Sequence, residues 1–325
     1  MLDLLENGQF LKLVCGAGNE DLEPVKRHVY IYAKAGCKIF DLSAHRDVLE
    51  SAKEGARLAG VNDVHYCISV GIKGDPHISK AGVNSSVCIK CGNCSRNCPN
   101  SAIYPPNTID DKKCIGCGMC AKKCPTGAIT MYEKDVNVEN ILPELVKNGA
   151  EILELHIMGH DNNDLEHKWR VINDCAPKLA SICIDRENFG NKEAIVKIKE
   201  MLQYRKPYTT IIQADGIPMS GGEDDYKTTL QAVAMAEIIQ NANLPVYLIL
   251  SGGTNSKTLE LSHQCKIYPN GVAIGSWARK IVKPYLSLSD FWENIDAQNQ
   301  AIEAARNLIK ANIPAKPDIV LSGNN

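Results

Sequence analysis

A chain of 325 residues, 44% apolar and 23% charged, is long enough for one large α/β unit with a small addition, and its formal charge of -2 gives no footing for a nucleic-acid grip. No run of 18 apolar residues occurs, so no membrane-spanning helix is expected, and the opening MLDLLENGQFLKLV lacks the basic n-region and cleavage pattern of a secretion signal. A cytoplasmic protein is therefore expected, with Cys15, Cys37, Cys67, Cys175, Cys183 and Cys265, scattered through apolar contexts, as buried thiols in a reducing compartment.

Taken in order, the chain alternates short β-rich runs with longer helical patterns. FLKLVCGAG predicts a strand over 11–15. A helix follows, opened by Asp21 and Glu23 with Pro24 in its first turn and stopped by Gly36. KIFDLSA is a second strand, 47–58 a helix closed by Gly60, and HYCISVGIKGD a third strand with its loop. This β-α-β-α-β order implies a parallel sheet covered by helices.

Between 83 and 134 the alternation breaks. CIKCGNCSRNCP and CIGCGMCAKKCP write one pattern twice: three cysteines three apart, a fourth four residues later, then proline. This is the bacterial ferredoxin run, in which the fourth cysteine of each run ligates the other run's cluster. Two 4Fe-4S clusters are expected, one on Cys88, Cys91, Cys94 and Cys124, the other on Cys114, Cys117, Cys120 and Cys98. Soft thiolates suit iron-sulfur clusters, and the short spacing lets one loop wrap three corners of a cube. Structural zinc sites usually come as separated C-x2-C pairs, and neither zinc nor disulfides explain a proline after both fourth cysteines. The same stretch carries seven cationic side chains against three acidic ones. That excess offsets the charge of ligated clusters, and it could steer an acidic redox partner through Lys112, Lys113, Lys122 and Lys123, although a solvated face is the plainer account.

The alternation resumes with a helix over 139–148, strands at EILELHI, LASICI, YTTIIQ, PVYLIL and GVAIG, and helices over 164–174, 192–204, 227–242, 258–264 and 290–310. Three strands before the break and five after make eight, the number a TIM-type (β/α)8 barrel needs; an open doubly wound sheet is the alternative. The expected organisation is three βα units in 1–82, the inserted two-cluster ferredoxin-like domain in 83–134, five more units in 135–312, and a tail in 313–325. An insert after the third strand is an enlarged βα loop, which belongs to the barrel face that carries active sites.

Two glycine loops, SGGTNSKT and IGSWARK, follow the seventh and eighth strands, where barrels commonly bind phosphate. Amides of Gly252, Gly253, Thr254, Gly275 and Ser276 could cradle a flavin mononucleotide or another phosphate-bearing ligand; equally, such glycines can simply turn the chain. Asp75, His77, His156, His160, Gln213, Asp215 and Ser220 end strands or loops on the same face, and any of the histidines could exchange protons near neutral pH, though each taken alone is more often structural. No GxSxG, HExxH or GxxxxGK[ST] pattern supports a hydrolase or nucleotidase.

GQFLKLVCGAG, GDPHISKA, QADGIPMSGG, LSGGTNSKT and GVAIGSWARKIVKPYL together resemble the LdpA family, the light-dependent period proteins of photosynthetic bacteria, and the resemblance covers nearly the whole chain. It implies an iron-sulfur protein that senses cellular redox state and passes it to a circadian clock, with redox, signalling or clock proteins as partners and no part for nucleic acid or membrane. The competing class is a barrel oxidoreductase whose clusters feed a flavin. An absorption spectrum separates them, because a released yellow flavin belongs only to the second.

Overall fold

Runs such as LASICI, six residues all buried, have no polar alternation because a strand of a helix-covered barrel is enclosed on both faces. The structure is a computed structural model describing residues 1–15, 18–105, 108–159, 161–186, 189–216 and 223–314, with only the backbone of His77. A short helix α1 (Leu2–Glu6) precedes β1 (Phe10–Val14), α2 (Leu22–Ala35), β2 (Ile39–Ser43), α3 (Arg46–Ala59) and β3 (His65–Gly71). A 3-10 turn, Pro76–Ile78, leads into β4 (Ser79–Val83), α4 (Asn93–Arg96), β5 (Ile103–Tyr104), β6 (Thr108–Ile109), α5 (Met119–Lys122) and β7 (Ile129–Glu133). The alternation then continues through α6 (Val138–Lys147), β8 (Ala150–His156), α7 (Asn162–Asp174), β9 (Leu179–Ile184), α8 (Asn191–Leu202) and β10 (Thr210–Asp215). It ends with α9 (Tyr226–Asn241), β11 (Tyr247–Ser251), α10 (Thr258–Gln264), β12 (Gly271–Ile274), α11 (Ser276–Leu286) and α12 (Ile295–Asn312).

Eight parallel strands close in the order β1-β12-β11-β10-β9-β8-β3-β2. Closure rests on the pairing of β1 with β12, from Phe10↔Gly271 to Leu13↔Ile274, and it rules out the open doubly wound sheet. The largest apolar core lies between the strands and the helical ring. Inside the barrel, Phe10, Ile39, Cys67, Ile152, Leu179 and Ile211 fill the N-terminal end over Leu5 of α1. Side chains alternate across a strand, so the residues two further on also face inward: Lys12, Asp41, Ser69, Glu154, Ser181 and Gln213, all buried. The barrel therefore changes from apolar to polar along its axis, with the polar half at the C-terminal ends of the strands.

Strands β4 and β7 pair antiparallel from Ser79↔Glu133 to Val83↔Ile129 and form the neck of the insert, while β5 and β6 make a second small ladder. One expectation needs correction. IGSWARK is loop only as far as Gly275, because from Ser276 the chain is α11, whose Ala278 and Val282 pack into the core. Four of the six scattered cysteines are buried, but Cys175 is only partly covered and Cys265, at the end of α10, is exposed. Among the described residues no helix is long and apolar enough to cross a membrane.

Candidate functional site

Each cysteine run winds a loop into a single helical turn, α4 or α5, and the fold sorts the eight thiols into two groups of four. Cys88, Cys91, Cys94 and Cys124 line one cavity together with Ile89, Ala128 and Ile129. Cys98, Cys114, Cys117 and Cys120 line another with Ile103, Ile109 and Met131. Each group thus takes three thiols from one run and one from the other. The two fourth cysteines are treated alike, since Ala102 N donates to Cys98 Sγ at 3.2 Å and Ala128 N donates to Cys124 Sγ at 3.2 Å. N–H donors aimed at sulfur are one means by which a protein sets a cluster's potential. Burial pushes the Cys120 thiol up to about 11, while the backbone N–H at Thr126 lowers partly covered Cys124, so in the iron-free protein Cys120 holds a proton that a metal must displace. A four-thiol, apolar-walled pocket with N–H···S donors fits a cubane cluster, and there are two of them.

The groups differ in exposure. Cys91 is exposed and Cys88 partly so, beside Val87 and Ile89, which stand 46% and 64% open to solvent. Cys114 and Cys120 are buried, and their loop faces the barrel. Lys80, on β4 and 2% exposed, makes that connection. Its ammonium donates to the carbonyls of Gly18 at 2.7 Å, Asp111 at 2.7 Å and Cys114 at 2.8 Å, and pairs with Glu20 Oε1 at 3.1 Å. One buried cation therefore joins the loop after β1 to the loop of the inner thiols. Glu20 N adds a bond to Lys112 O at 2.8 Å, and Lys134 pairs with both Glu20 and Asp111. Gly116 fits the same junction, since a Cβ there would strike the carbonyls of Ser79 and Pro76.

Below the insert lies a cavity of about 50 Å³, bounded by Glu20, His45, Ser69, Lys80, Lys134 and His156 among others. It opens onto the polar half of the barrel. Glu154 accepts from Lys12 Nζ at 2.6 Å and Ser181 Oγ at 2.6 Å on Oε2, and from Gln213 Nε2 at 3.2 Å on Oε1, where His156 Nε2 lies at 3.0 Å. Asp41 sits 3.3 Å from the same ammonium and accepts from Ser69. Burial favours the uncharged forms, but Lys12 outweighs it at Glu154 and holds that carboxyl far below its usual range, and Asp41 and Glu154 together keep Lys12 protonated. At Asp41 burial wins and the carboxyl is raised.

Of the residues expected at the mouth, His156, Asp75, Gln213 and Asp215 are buried around this layer. His160, Ser220 and the side chain of His77 lie outside the described residues. Of the expected phosphate cradle, Gly252 and Gly253 have φ of +71° and +77°, and Gly252 lies against the Asp215 carboxylate with no room for a side chain. Thr254 is buried, its hydroxyl donating to Ala273 O. Gly275 and Ser276 open α11, where Arg279 donates to Val14 O at 2.7 Å and approaches Ser276 Oγ at 3.4 Å. Sequence reading passed over Lys12, Lys80 and Glu154. For Lys12 and Glu154 the signal was a charged residue at an inward position of a barrel strand, FLKLV and EILELH, which tells only once the inward face is known.

Fold and donor set define an iron-sulfur barrel protein, a closed (β/α)8 unit carrying a ferredoxin-type insert. A 4Fe-4S binding domain model matches residues 81–104 and 107–130, one match per run, and two 4Fe-4S clusters are the cofactors. The model of the light dependent period A C-terminal domain matches residues 144–321, and the chain belongs to that family. It is 28% identical to Light dependent period A of Synechococcus elongatus, across 95% of this chain and 90% of that protein. Among solved structures, Mycobacterium tuberculosis tryptophan synthase aligns over 96% of this chain and 98% of its own at a TM-score of 0.50 and 9% identity, a likeness of fold alone.

Proposed function

We propose that the protein reports redox state to a partner, with Cys88, Cys91, Cys94 and Cys124 holding the cluster that meets solvent and Cys98, Cys114, Cys117 and Cys120 holding the one that faces the barrel. The clusters supply one-electron chemistry and nothing else is asked of them. The observation that carries the reading is the asymmetry between the two thiol groups: an outer one beside exposed Val87 and Ile89, and an inner one whose Cys114 carbonyl is held by the Lys80 ammonium. An order change in the inner loop is thus felt directly by Gly18 and Glu20 at the barrel mouth.

The partner we infer is acidic and docks on the insert, where Lys112, Lys122 and Lys123 are exposed while Lys113 is partly tied down by Tyr104 and Asp21. The relative's name ties it to a light-dependent period, and we carry this over as input to a period-setting, clock-type protein. The test compares partner capture by oxidised and reduced protein. Redox-dependent capture, weakened by Lys112→Glu, Lys122→Glu and Lys123→Glu and fading as salt shortens the Debye length to about 8 Å, supports the reading. Redox-independent capture together with flavin-dependent reduction of a small molecule would overturn it in favour of a flavin oxidoreductase.

That second reading has one observation behind it. Gly275 and Ser276 begin an 11-residue helix at the barrel mouth, and the free N–H groups of a helix start favour a phosphate. Flavin mononucleotide on Gly252, Gly253, Thr254, Gly275 and Ser276 would raise the thermal midpoint of the protein, by mass action, at concentrations well above its dissociation constant. The absence of any shift with flavin mononucleotide and with inorganic phosphate counts against it.

A further inference from the structure

The polar half of the barrel holds a set of groups that the redox reading does not use. Glu154 and His156 are two apart on β8 and so point the same way, and Cys183 stands opposite His156 in the register of β8 with β9. Their ligand atoms lie within 4.8 Å of one another, and all three residues are buried. We propose that Glu154, His156 and Cys183 form a separate metal site in the barrel, for one divalent cation of the zinc class.

Donor chemistry fits, since one carboxylate, one imidazole and one thiolate are all ordinary zinc ligands. Tetrahedral zinc with bonds of about 2.0–2.3 Å separates its ligands by about 3.3–3.7 Å, so closing the set around an ion takes side-chain shifts on the order of 1 Å. The surroundings are divided as a metal site requires. Lys12 and Ser181 occupy Glu154 Oε2, while Oε1 faces His156 Nε2 at 3.0 Å and also accepts from Gln213 Nε2 at 3.2 Å and Ser69 Oγ at 3.3 Å. Asp75 lies 4.0 Å from His156 Nδ1, the ring nitrogen away from Glu154, beyond hydrogen-bond distance but close enough for a small approach to let it orient a ligating histidine. Asp215 accepts from Cys183 Sγ at 3.1 Å, ready to take up the thiol proton lost on binding.

An independent sign comes from Gln213, in register with Cys183 on β10. Its Nε2 donates to Cys183 Sγ at 3.1 Å and to Glu154 Oε1 at 3.2 Å, while its buried Oε1 has no hydrogen-bond partner among the described residues. A buried acceptor left unmet costs about 1–3 kcal/mol. Turned end for end, the amide would present that Oε1 to an ion held by Glu154 and Cys183 and meet the acceptor. The cavity that ends on His156 and Ser69 gives an ion a path to the layer.

The test uses anaerobically purified protein with its clusters in place, dialysed against zinc and then cleared of loose metal with a weak chelator. Expected are about one zinc per chain beyond the iron, and a zinc-edge X-ray absorption spectrum with a single sulfur at about 2.3 Å and the remaining ligands nitrogen or oxygen. Cys183→Ser and His156→Gln should each weaken zinc binding by about tenfold or more, the scale on which even outer partners of a metal act, with iron content unchanged. Exposed Cys265→Ser should leave zinc binding as it was. No zinc retained by iron-replete protein, an all-sulfur zinc shell (which would place it in the insert), or unchanged affinity in both variants overturns the proposal. If Cys183→Ser does not fold, the spectrum of the unaltered protein and the His156→Gln titration still decide.

Discussion

At the scale of single residues, two buried lysines carry opposite halves of the molecule. Lys80→Met leaves three carbonyls without their cation and Glu20 with Lys134 alone, and breaking a buried pair costs about 3–5 kcal/mol. The loss should fall on the seating of the insert, read as faster proteolysis within 79–133 and faster iron release than in the unaltered protein. Lys12→Met strands Glu154 and Asp41 inside the barrel at a similar cost of about 3–5 kcal/mol, read as a lower urea midpoint of the whole chain with iron content unaffected. His28 gives a pH signature. Its Nδ1 lies 2.7 Å from the Pro24 carbonyl, its Nε2 has no partner among the described residues, and burial together with the nearby Arg279 guanidinium pushes the imidazole down to about 4. An unfolded histidine protonates near pH 6.5, so between about 4 and 6.5 the unfolded chain binds more protons. Stability is fully present above that window and is lost as the pH falls through it. His28→Phe should flatten the fall in urea midpoint, and an unchanged slope would assign it to other groups. The eight cysteines could be read from the sequence because their spacing is local. The Lys12–Glu154 pair could not, since its members are 142 positions apart and meet only when the barrel closes.

Elements were legible where local chemistry specifies them. α10 runs Thr258–Gln264 as its pattern predicts, and α2 and α3 both end where Gly36 and Gly60 take left-handed conformations. α11 was missed because IGSWARK opens with the residues of a phosphate loop, and what makes it helical is the burial of Ala278 and Val282 by tertiary packing. The insert offers a test at this scale. Gly116 and Gly118 both have φ of +68°, but a Cβ at 118 meets nothing within 4 Å whereas one at 116 collides with the backbone beside β4. Gly118→Ala should therefore cost about 1 kcal/mol of backbone strain and keep its iron. Gly116→Ala should lose iron from the inner thiol group, with the total falling toward half. Equal iron content in the two variants would show that the loop can yield at Ser79.

For the molecule as a whole, counting alternating elements gave eight strands and with them the closed barrel, which the pairing of β1 with β12 at opposite ends of the chain bears out over the open-sheet alternative. Protein isolated without oxygen should contain about eight iron and eight sulfide per chain, the stoichiometry of two cubanes; zinc in their place with no acid-labile sulfide would refute the cluster assignment. The pairing of Ser79 with Glu133 has a further consequence, one of timing. Every strand of the insert finds its partner within those 55 residues, so the insert is complete as soon as Glu133 leaves the ribosome. β1 must wait for β12, roughly 140 residues later, about 7–28 s at a synthesis rate of about 5–20 residues per second. Iron can thus be loaded onto a nascent chain whose barrel is still open, with Lys80 already in place to gather Gly18 and Glu20. Ribosome-stalled chains ending after α7, long enough for Glu133 to have cleared the exit tunnel, should then already carry acid-labile sulfide, and iron starvation during synthesis should harm the yield of folded barrel more than iron removal afterwards.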